Sequence, residues 1–147
     1  MIEYTIMTEA HVQQVAALEK VCFSEPWSER SIAHELTNPL AYWLVAVEGD
    51  RLAGYVGSQS VLDEADMMNI AVEPAYRRQG IAEGLVERLV SHLALTQVRC
   101  LTLEVRASNE PAKSLYGNLG FETVGVRKNY YRNPREDALI LRKEWSL

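Results

Sequence analysis

A mixed α/β domain is the fold class this sequence predicts, and three observations carry it. Strand-like runs rich in β-branched and aromatic residues recur along the chain, helical windows repeat apolar residues every three to four positions, and turn residues separate the two kinds. The length of 147 residues fits one domain spanning 1–147. With 48% hydrophobic and 24% charged residues the chain can bury a real core, which excludes disordered, collagen-like and disulfide-scaffold classes.

Glu3 to Met7 reads as a short strand, and Thr8 then caps a helix in which Val12, Val15, Leu18 and Cys22 recur at helical spacing. Ser24 to Trp27 interrupts it. Ser28 opens a second short helix that ends before Asn38-Pro39, because the residue preceding a proline resists helical geometry. Tyr42 to Val47 and Leu52 to Val61 are strand-like and joined by Glu48-Gly49-Asp50-Arg51, so they are expected to pair antiparallel. Asp66 to Glu73 is a further strand, stopped by Pro74. In the clearest helix, Ile81, Leu85, Leu89 and Leu93 form one apolar stripe with Val86 and Val90 beside it, a pattern that packs on a sheet. Val98 to Val105 is the next strand, and Asn109 caps a helix whose Ala112, Leu115, Tyr116 and Leu119 share a face before Gly120 ends it. Phe121 to Arg127 and Ala138 to Arg142 read as closing strands around a polar, Tyr-rich loop. The order β-α-α-β-β-β-α-β-α-β-β contains neither linker nor repeat.

Composition narrows function. The 15 Lys+Arg against 20 Asp+Glu leave a net charge of −5, which speaks against a broad basic face for nucleic-acid phosphates. Cys22 and Cys100 form no C-x-x-C pair, so reduced structural thiols are expected, and Cys100 reads as a mid-strand core residue rather than an acyl-carrying nucleophile. The N-terminus carries an acid early and no basic flank before an apolar stretch, and no run approaches the roughly 18 apolar residues of a membrane span. The cytoplasm is the expected compartment. His11, His34 and His92 show no ligand spacing, so no metal is expected.

The most informative segment is Asn69-Ile70-Ala71-Val72-Glu73-Pro74-Ala75-Tyr76-Arg77-Arg78-Gln79-Gly80-Ile81-Ala82, followed by Glu83. A strand feeds a loop whose small Gly80 and Ala82 let backbone N–H groups approach a ligand at a helix N-terminus, where dipole and free donors favour an anion such as a pyrophosphate. No Lys-Ser/Thr follows Gly80 and Ile81-Ala82 breaks G-x-G-x-x-G, so nucleoside triphosphates and dinucleotides lose ground. On the short motif alone, an ordinary strand-helix connection with a solvated Arg77–Arg78 pair is an equal reading.

Arg77-x-x-Gly80-x-Ala82 after a strand ending Asn69-Ile70-Ala71-Val72 resembles the acetyl-coenzyme A signature of the GCN5-related N-acetyltransferases, and the element order matches over nearly the whole chain. The resemblance implies a mixed, mostly antiparallel sheet flanked by helices, with splayed strands that hold acetyl-CoA as cosubstrate. It implies that Arg77, Arg78, Gln79, Gly80, Ile81, Ala82 and Glu83 hold the pyrophosphate and that Ile70, Ala71 and Val72 lend their backbone to the pantetheine arm. Further blocks, among them Leu103-Glu104-Val105-Arg106-Ala107-Ser108-Asn109, Ser114-Leu115-Tyr116, Leu119-Gly120-Phe121, Pro26-Trp27-Ser28 and Asn129-Tyr130-Tyr131, resemble the bacterial branch that acetylates the N-terminal alanine of a small-subunit ribosomal protein.

That resemblance places Glu104 as the base, direct or through water, that relieves the amine of its proton. Read without it, Glu104 is a surface acid paired with Arg106. Tyr116 is implied as the acid that protonates the departing thiolate, whereas helical spacing alone makes it an aromatic on an apolar face. Asn109 is a helix cap, a pantetheine contact, or both. Trp27, Tyr130 and Tyr131 offer flat surfaces that could line a peptide groove, and Asp137, Glu136 and Glu35 could attract a cationic peptide; packing and solvation are the plain alternatives. The expected activity is direct transfer to an N-terminal alanine by a monomer, with no nucleic acid and no membrane partner. A lysine-directed or small-amine acetyltransferase, or a non-catalytic coenzyme A-sensing module, are the competing readings.

Overall fold

The computed structural model describes all residues, Met1–Leu147. Its strands are β1 (Glu3–Ile6), β2 (Ala41–Glu48), β3 (Arg51–Val61), β4 (Glu64–Val72), β5 (Cys100–Arg106), β6 (Glu122–Tyr131) and β7 (Glu136–Glu144). Its helices are α1 (Glu9–Cys22), α2 (Glu29–Glu35), α3 (Ile81–Leu95) and α4 (Glu110–Asn118), with a short 3-10 turn at Pro74–Tyr76. The expected order of elements is therefore the order found.

Alternation along the central strands sets the layers. On β2, Trp43 and Val45 enter one apolar cluster with α1 and α2, while Leu44 and Ala46 enter the other with α3 and α4. β3 continues the division, with Leu52 and Tyr55 on the first side and Ala53 and Val56 on the second. Val15, Ile32, Leu85 and Leu89 are fully buried, so each amphipathic helix spends its apolar stripe on the sheet.

One seven-stranded sheet runs in the order β1-β2-β3-β4-β5-β7-β6. Every neighbouring pair is antiparallel except β4 with β5, which α3 joins as a crossover. That parallel pair is short: only Glu64, Ala65 and Asp66 face partners, at Cys100, Leu101 and Thr102. Beyond Asp66 the two strands part, while β4 stays paired to β3 as far as Val72. The splayed strands implied by the resemblance are thus present.

Several boundaries differ from the sequence reading by a few residues, as at β4 and β7 (Glu64–Val72 and Glu136–Glu144), and two of the differences bear on the site. Asn129, Tyr130 and Tyr131 belong to β6 rather than to a loop, since aromatic residues suit a strand and the Asn129 N–H donates to the Asp137 carboxylate at 2.8 Å to close the hairpin. Pairing is still irregular there, and Asn129 takes φ +54°. β5 begins at Cys100, because the Val98 N–H is used on the Leu93 carbonyl at the exit of α3. Cys100 is therefore the buried first residue of its strand rather than a mid-strand one.

Gly57 lies on β3 directly opposite Trp43, and an added Cβ would overlap the indole ring. Gly117, in the exposed turn of α4, would meet nothing. Gly57→Ala should cost about 1–3 kcal/mol through overpacking, whereas Gly117→Ala should gain up to about 1 kcal/mol from helix propensity. Urea unfolding of both variants checks the opposite signs.

Candidate active site

The two residues expected to act in catalysis lie on either face of the sheet beside the strand split. Along β5, Leu103 and Val105 enter the α3/α4 cluster, so Glu104 points to the opposite face, the one that α1 and α2 cover elsewhere. Its side chain is 25% exposed and forms an ion pair with Arg127 on β6 at 3.3 Å. The sequence-level pairing with Arg106 is not found. Instead the Arg106 guanidinium donates to the carbonyls of Arg132 and Pro134, both at 2.9 Å, and pairs with Glu136, fastening the β6–β7 turn.

Tyr116 approaches from the other face. It is 3% exposed in the α3/α4 cluster, packs edge-on against Phe121, and turns its hydroxyl to the Met67 sulfur at 3.7 Å. Met67 follows Asp66, the last β4 residue paired with β5, so this hydroxyl lies where the strands begin to part. Burial, with the nearby Tyr131 phenol adding to it, pushes the Tyr116 hydroxyl well above the ordinary phenol range. Tyr131 itself is raised to about 12, first by burial and then by the Glu104 charge. The Tyr131 phenol thus feels the Glu104 charge and is itself felt by Tyr116.

On the α3 side the loop expected to take an anion has the required backbone. Arg78 and Gly80 adopt φ +66° and +75°, a left-handed pair that turns the chain sharply into α3. The first helical bond runs from the Gly84 N–H to the Gly80 carbonyl at 3.0 Å, so the amides of Ile81, Ala82 and Glu83 have no partner within the helix. They open on a cavity of about 430 Å³ lined by Val72, Arg77, Arg78, Gly80, Ile81, Ala82 and Glu83, with Pro111 and Leu115 from α4 across from them. A diphosphate fits this donor set, and the unpaired edge of β4 beyond Asp66 suits an amide-bearing arm.

Other predicted residues fall into place unevenly. Arg77 is exposed but tethered, since it donates to the Val72 carbonyl at 3.2 Å and reaches the Cys22 sulfur at 3.7 Å. Ile70 packs against the α3/α4 cluster, and Ala71 is buried in the other one and paired with Tyr55, so neither these nor Gln79 and Asn109 line the cavity. Asn109 caps α4 by accepting from the Ala112 N–H at 3.1 Å.

On the opposite face, Trp27 is half-buried with its ring edge-on to Trp43 at 5.4 Å, and Tyr130 is exposed. Asp137 is committed to the Asn129 N–H. Hydrogen bonding from Ser108, by its side chain first and then its N–H, together with the Arg106 guanidinium holds the Glu136 carboxyl below the usual range. Glu35 is not available to a peptide: it is buried and accepts from Asn38, Trp43 and Gln59 at 3.1, 3.0 and 2.7 Å.

Sequence reasoning missed Arg127, Met67 and the fully buried Glu19. The last carried a legible signal, because an acid at 19 continues the Val12, Val15, Ala16 stripe at helical spacing. No three His, Cys, Asp or Glu side chains converge as they would around a metal ion. No helix is long and apolar enough to cross a membrane.

Gly80→Val would force a β-branched residue to φ +75° at the cavity rim. We expect it to weaken coenzyme A binding by about tenfold or more, about 1.4 kcal/mol, as measured by isothermal titration calorimetry.

Comparison with known proteins agrees with this geometry. Residues 12–121 match the model of the Acetyltransferase (GNAT) family. A Bacillus subtilis protein named provisionally as a [ribosomal protein bS18]-alanine N-acetyltransferase is 43% identical over 131 residues, 88% of this chain and 87% of that one. The Escherichia coli [ribosomal protein bS18]-alanine N-acetyltransferase is 40% identical over 126 residues, 84% of each. The crystal structure of the ribosomal-protein-S18-alanine N-acetyltransferase from Escherichia coli superposes with a TM-score of 0.91 at 35% identity, covering 100% of this chain and 96% of that one. With the strand split, the open amides of α3 and these matches together, the chain belongs to the GNAT family of acetyltransferases, which use acetyl-CoA.

Proposed function

We propose that this chain transfers the acetyl group of acetyl-CoA to the α-amine of the N-terminal alanine of ribosomal protein bS18, directly and as a monomer in the cytoplasm. The relatives that match across most of their length carry that activity in their names. One structural observation supports the chemistry: Glu104 and Tyr116 approach the β4–β5 split from opposite faces of the sheet, all within one chain.

Acetyl-CoA supplies the activated thioester. The amides of Ile81, Ala82 and Glu83 hold its diphosphate, assisted by Arg78, Gln79 and Gly80, while Arg77 braces the loop against β4. The backbone of Ile70 to Val72 pairs with the pantetheine arm, and Asn109 adds a side-chain contact from the cap of α4. Trp27, Tyr130, Tyr131 and Asp137 frame the acceptor peptide on the opposite face.

Glu104 takes the proton that the attacking amine releases, itself or through a water. The demand is modest, since an α-amino group has a pKa of about 7.7–8.0 against about 10.4 for lysine. Tyr116 holds its proton well above the ordinary phenol range, so it remains a donor for the departing sulfur across the working pH range. Amine and thioester held together make orientation the main source of rate, and no covalent enzyme intermediate is needed.

Intact-mass measurement on two peptides tests the reading: one begins with a free alanine, the other is N-terminally blocked with an internal lysine. Acetylation of the first alone is expected; acetylation of the second alone would overturn the α-amine assignment, and coenzyme A binding without either product would favour a sensing module. Glu104→Gln and Tyr116→Phe should each lower kcat by about 10²-fold or more with coenzyme A affinity retained. For the wild type, kcat/KM should rise with pH to about 8 as the amine deprotonates. It should then stay level past the ordinary phenol pKa of about 10, because the Tyr116 shift is upward and the acid stays protonated.

A further inference from the structure

We propose that Glu19 is a positioning residue for acceptor binding, joining the α1–α2 connection to the part of β4 that borders the strand split. Glu19 is 0% exposed on α1 and has no cationic partner. Its Oε1 accepts the backbone N–H of Trp27 at 2.8 Å, and its Oε2 accepts the Asn69 side-chain amide at 2.8 Å and the Tyr55 hydroxyl. Three donors from three segments of chain therefore end on one carboxyl group.

Asn69 is not an arbitrary partner. The β3–β4 register shifts between Gly57/Asn69 and Ser58/Met67, leaving Met68 as an extra residue immediately before Asn69. A bulge of this kind re-aims the strand, and it lies just past Asp66, the last β4 residue paired with β5. The Asn69 side chain faces α1 while its backbone, paired to Gly57 of β3, belongs to the stretch of β4 that has left β5. Through Glu19 the backbone at Trp27 is held in register with that stretch.

Stability alone does not call for an acid here. An apolar side chain of similar volume among apolar partners is often neutral or stabilising relative to a buried charged group. What an acid does uniquely is accept from a main-chain N–H, a phenol and an amide at once, fixing the relative placement of the loop and the strand. With the acceptor peptide lying against Trp27, as proposed above, a loose loop weakens peptide binding and leaves the coenzyme A cavity on the other face intact.

Steady-state kinetics on the alanine peptide, beside acetyl-CoA titration and circular dichroism, test this with three variants. Glu19→Met keeps the volume and removes every acceptor; peptide KM should rise about tenfold or more, with kcat within about threefold and acetyl-CoA affinity within about twofold. Glu19→Gln should restore peptide KM to within about threefold of wild type, its oxygen on the Trp27 N–H and its amide facing Tyr55 and a flipped Asn69. Glu19→Asp, one methylene shorter, should behave like Met and decides the matter if the Met variant does not fold. A folded Met or Asp variant with unchanged peptide KM overturns the proposal, as does acetyl-CoA affinity falling in step with peptide affinity. Unfolding of both Met and Asp variants while Gln folds makes Glu19 a stability residue only, which also overturns it. A wild type silent on the peptide removes the acceptor assignment and this proposal together, whereas an active wild type with unmoved variants removes only the role of Glu19.

Discussion

Three residue pairs hold β4 to β5, and the molecule is organised around the point where they stop. A parallel pair normally continues for the length of its strands, since each unpaired backbone group that loses water carries a cost. Here α3 occupies one side of the opening, and β7 and β6 carry the sheet on beyond β5, so the strands diverge without the sheet falling apart. The divergence leaves polar backbone along β4, a buried phenol at its apex and a carboxylate across from it. Each of these would be inert in a continuous sheet. The Glu104 side chain would sit on a closed face, and the Tyr116 hydroxyl would have little beyond a thioether to meet.

The two apolar layers are anchored differently. The α3/α4 layer is almost wholly hydrophobic, with Leu85, Leu89, Leu93 and Leu101 fully or nearly fully buried. The α1/α2 layer contains two buried carboxyl groups, and each is satisfied by donors rather than by a cation. Trp43 donates its indole N–H to Glu35 and stacks on Tyr55 at 5.9 Å, and Tyr55 in turn donates to Glu19. Burial and the Glu19 charge lift the Tyr55 hydroxyl far above the phenol range, so it is a donor at any working pH. A donor left unpaired in such a place costs about 1–3 kcal/mol, which makes this layer directional where the other is merely close-packed.

Local periodicity made most of the scaffold legible. The α3 stripe, the Asn109 cap and the Gly49 turn depend on neighbours in sequence, and all three are found. The backbone of the loop expected to take an anion was legible for the same reason, because left-handed geometry at Gly80 and free amides in the next turn are local properties. Contacts set by tertiary pairing were not. Which arginine faces Glu104 depends on β6 lying two strands away, and the carbonyls of the β6–β7 turn draw Arg106 elsewhere. Likewise Glu35 reads as a solvated acid until Trp43 and Gln59 are brought over it from the sheet. The divergence of β4 from β5 has no local signature at all, and only the resemblance to a known family announced it.

The placement of the chemistry on two faces bears on which amine can serve. A side-chain amine of lysine, with a pKa near 10.4, needs about 2.5 units more deprotonation than an α-amine near 7.7–8.0, or about 3.4 kcal/mol at 1.36 kcal/mol per unit. A base that supplied this would have to be sealed from water. Glu104 is instead a quarter exposed and already engaged by Arg127, an arrangement suited to orienting a water or a chain-terminal amine. On the opposite side of the split the burden is heavier, because the departing thiolate must find a proton in an apolar layer. In the proposed reaction Tyr116 is the donor, and its burial keeps the proton in place. The division of labour in the proposed mechanism follows from depth: the more exposed face meets a substrate that arrives nearly ready, and the buried face retains the proton that thiolate release would use.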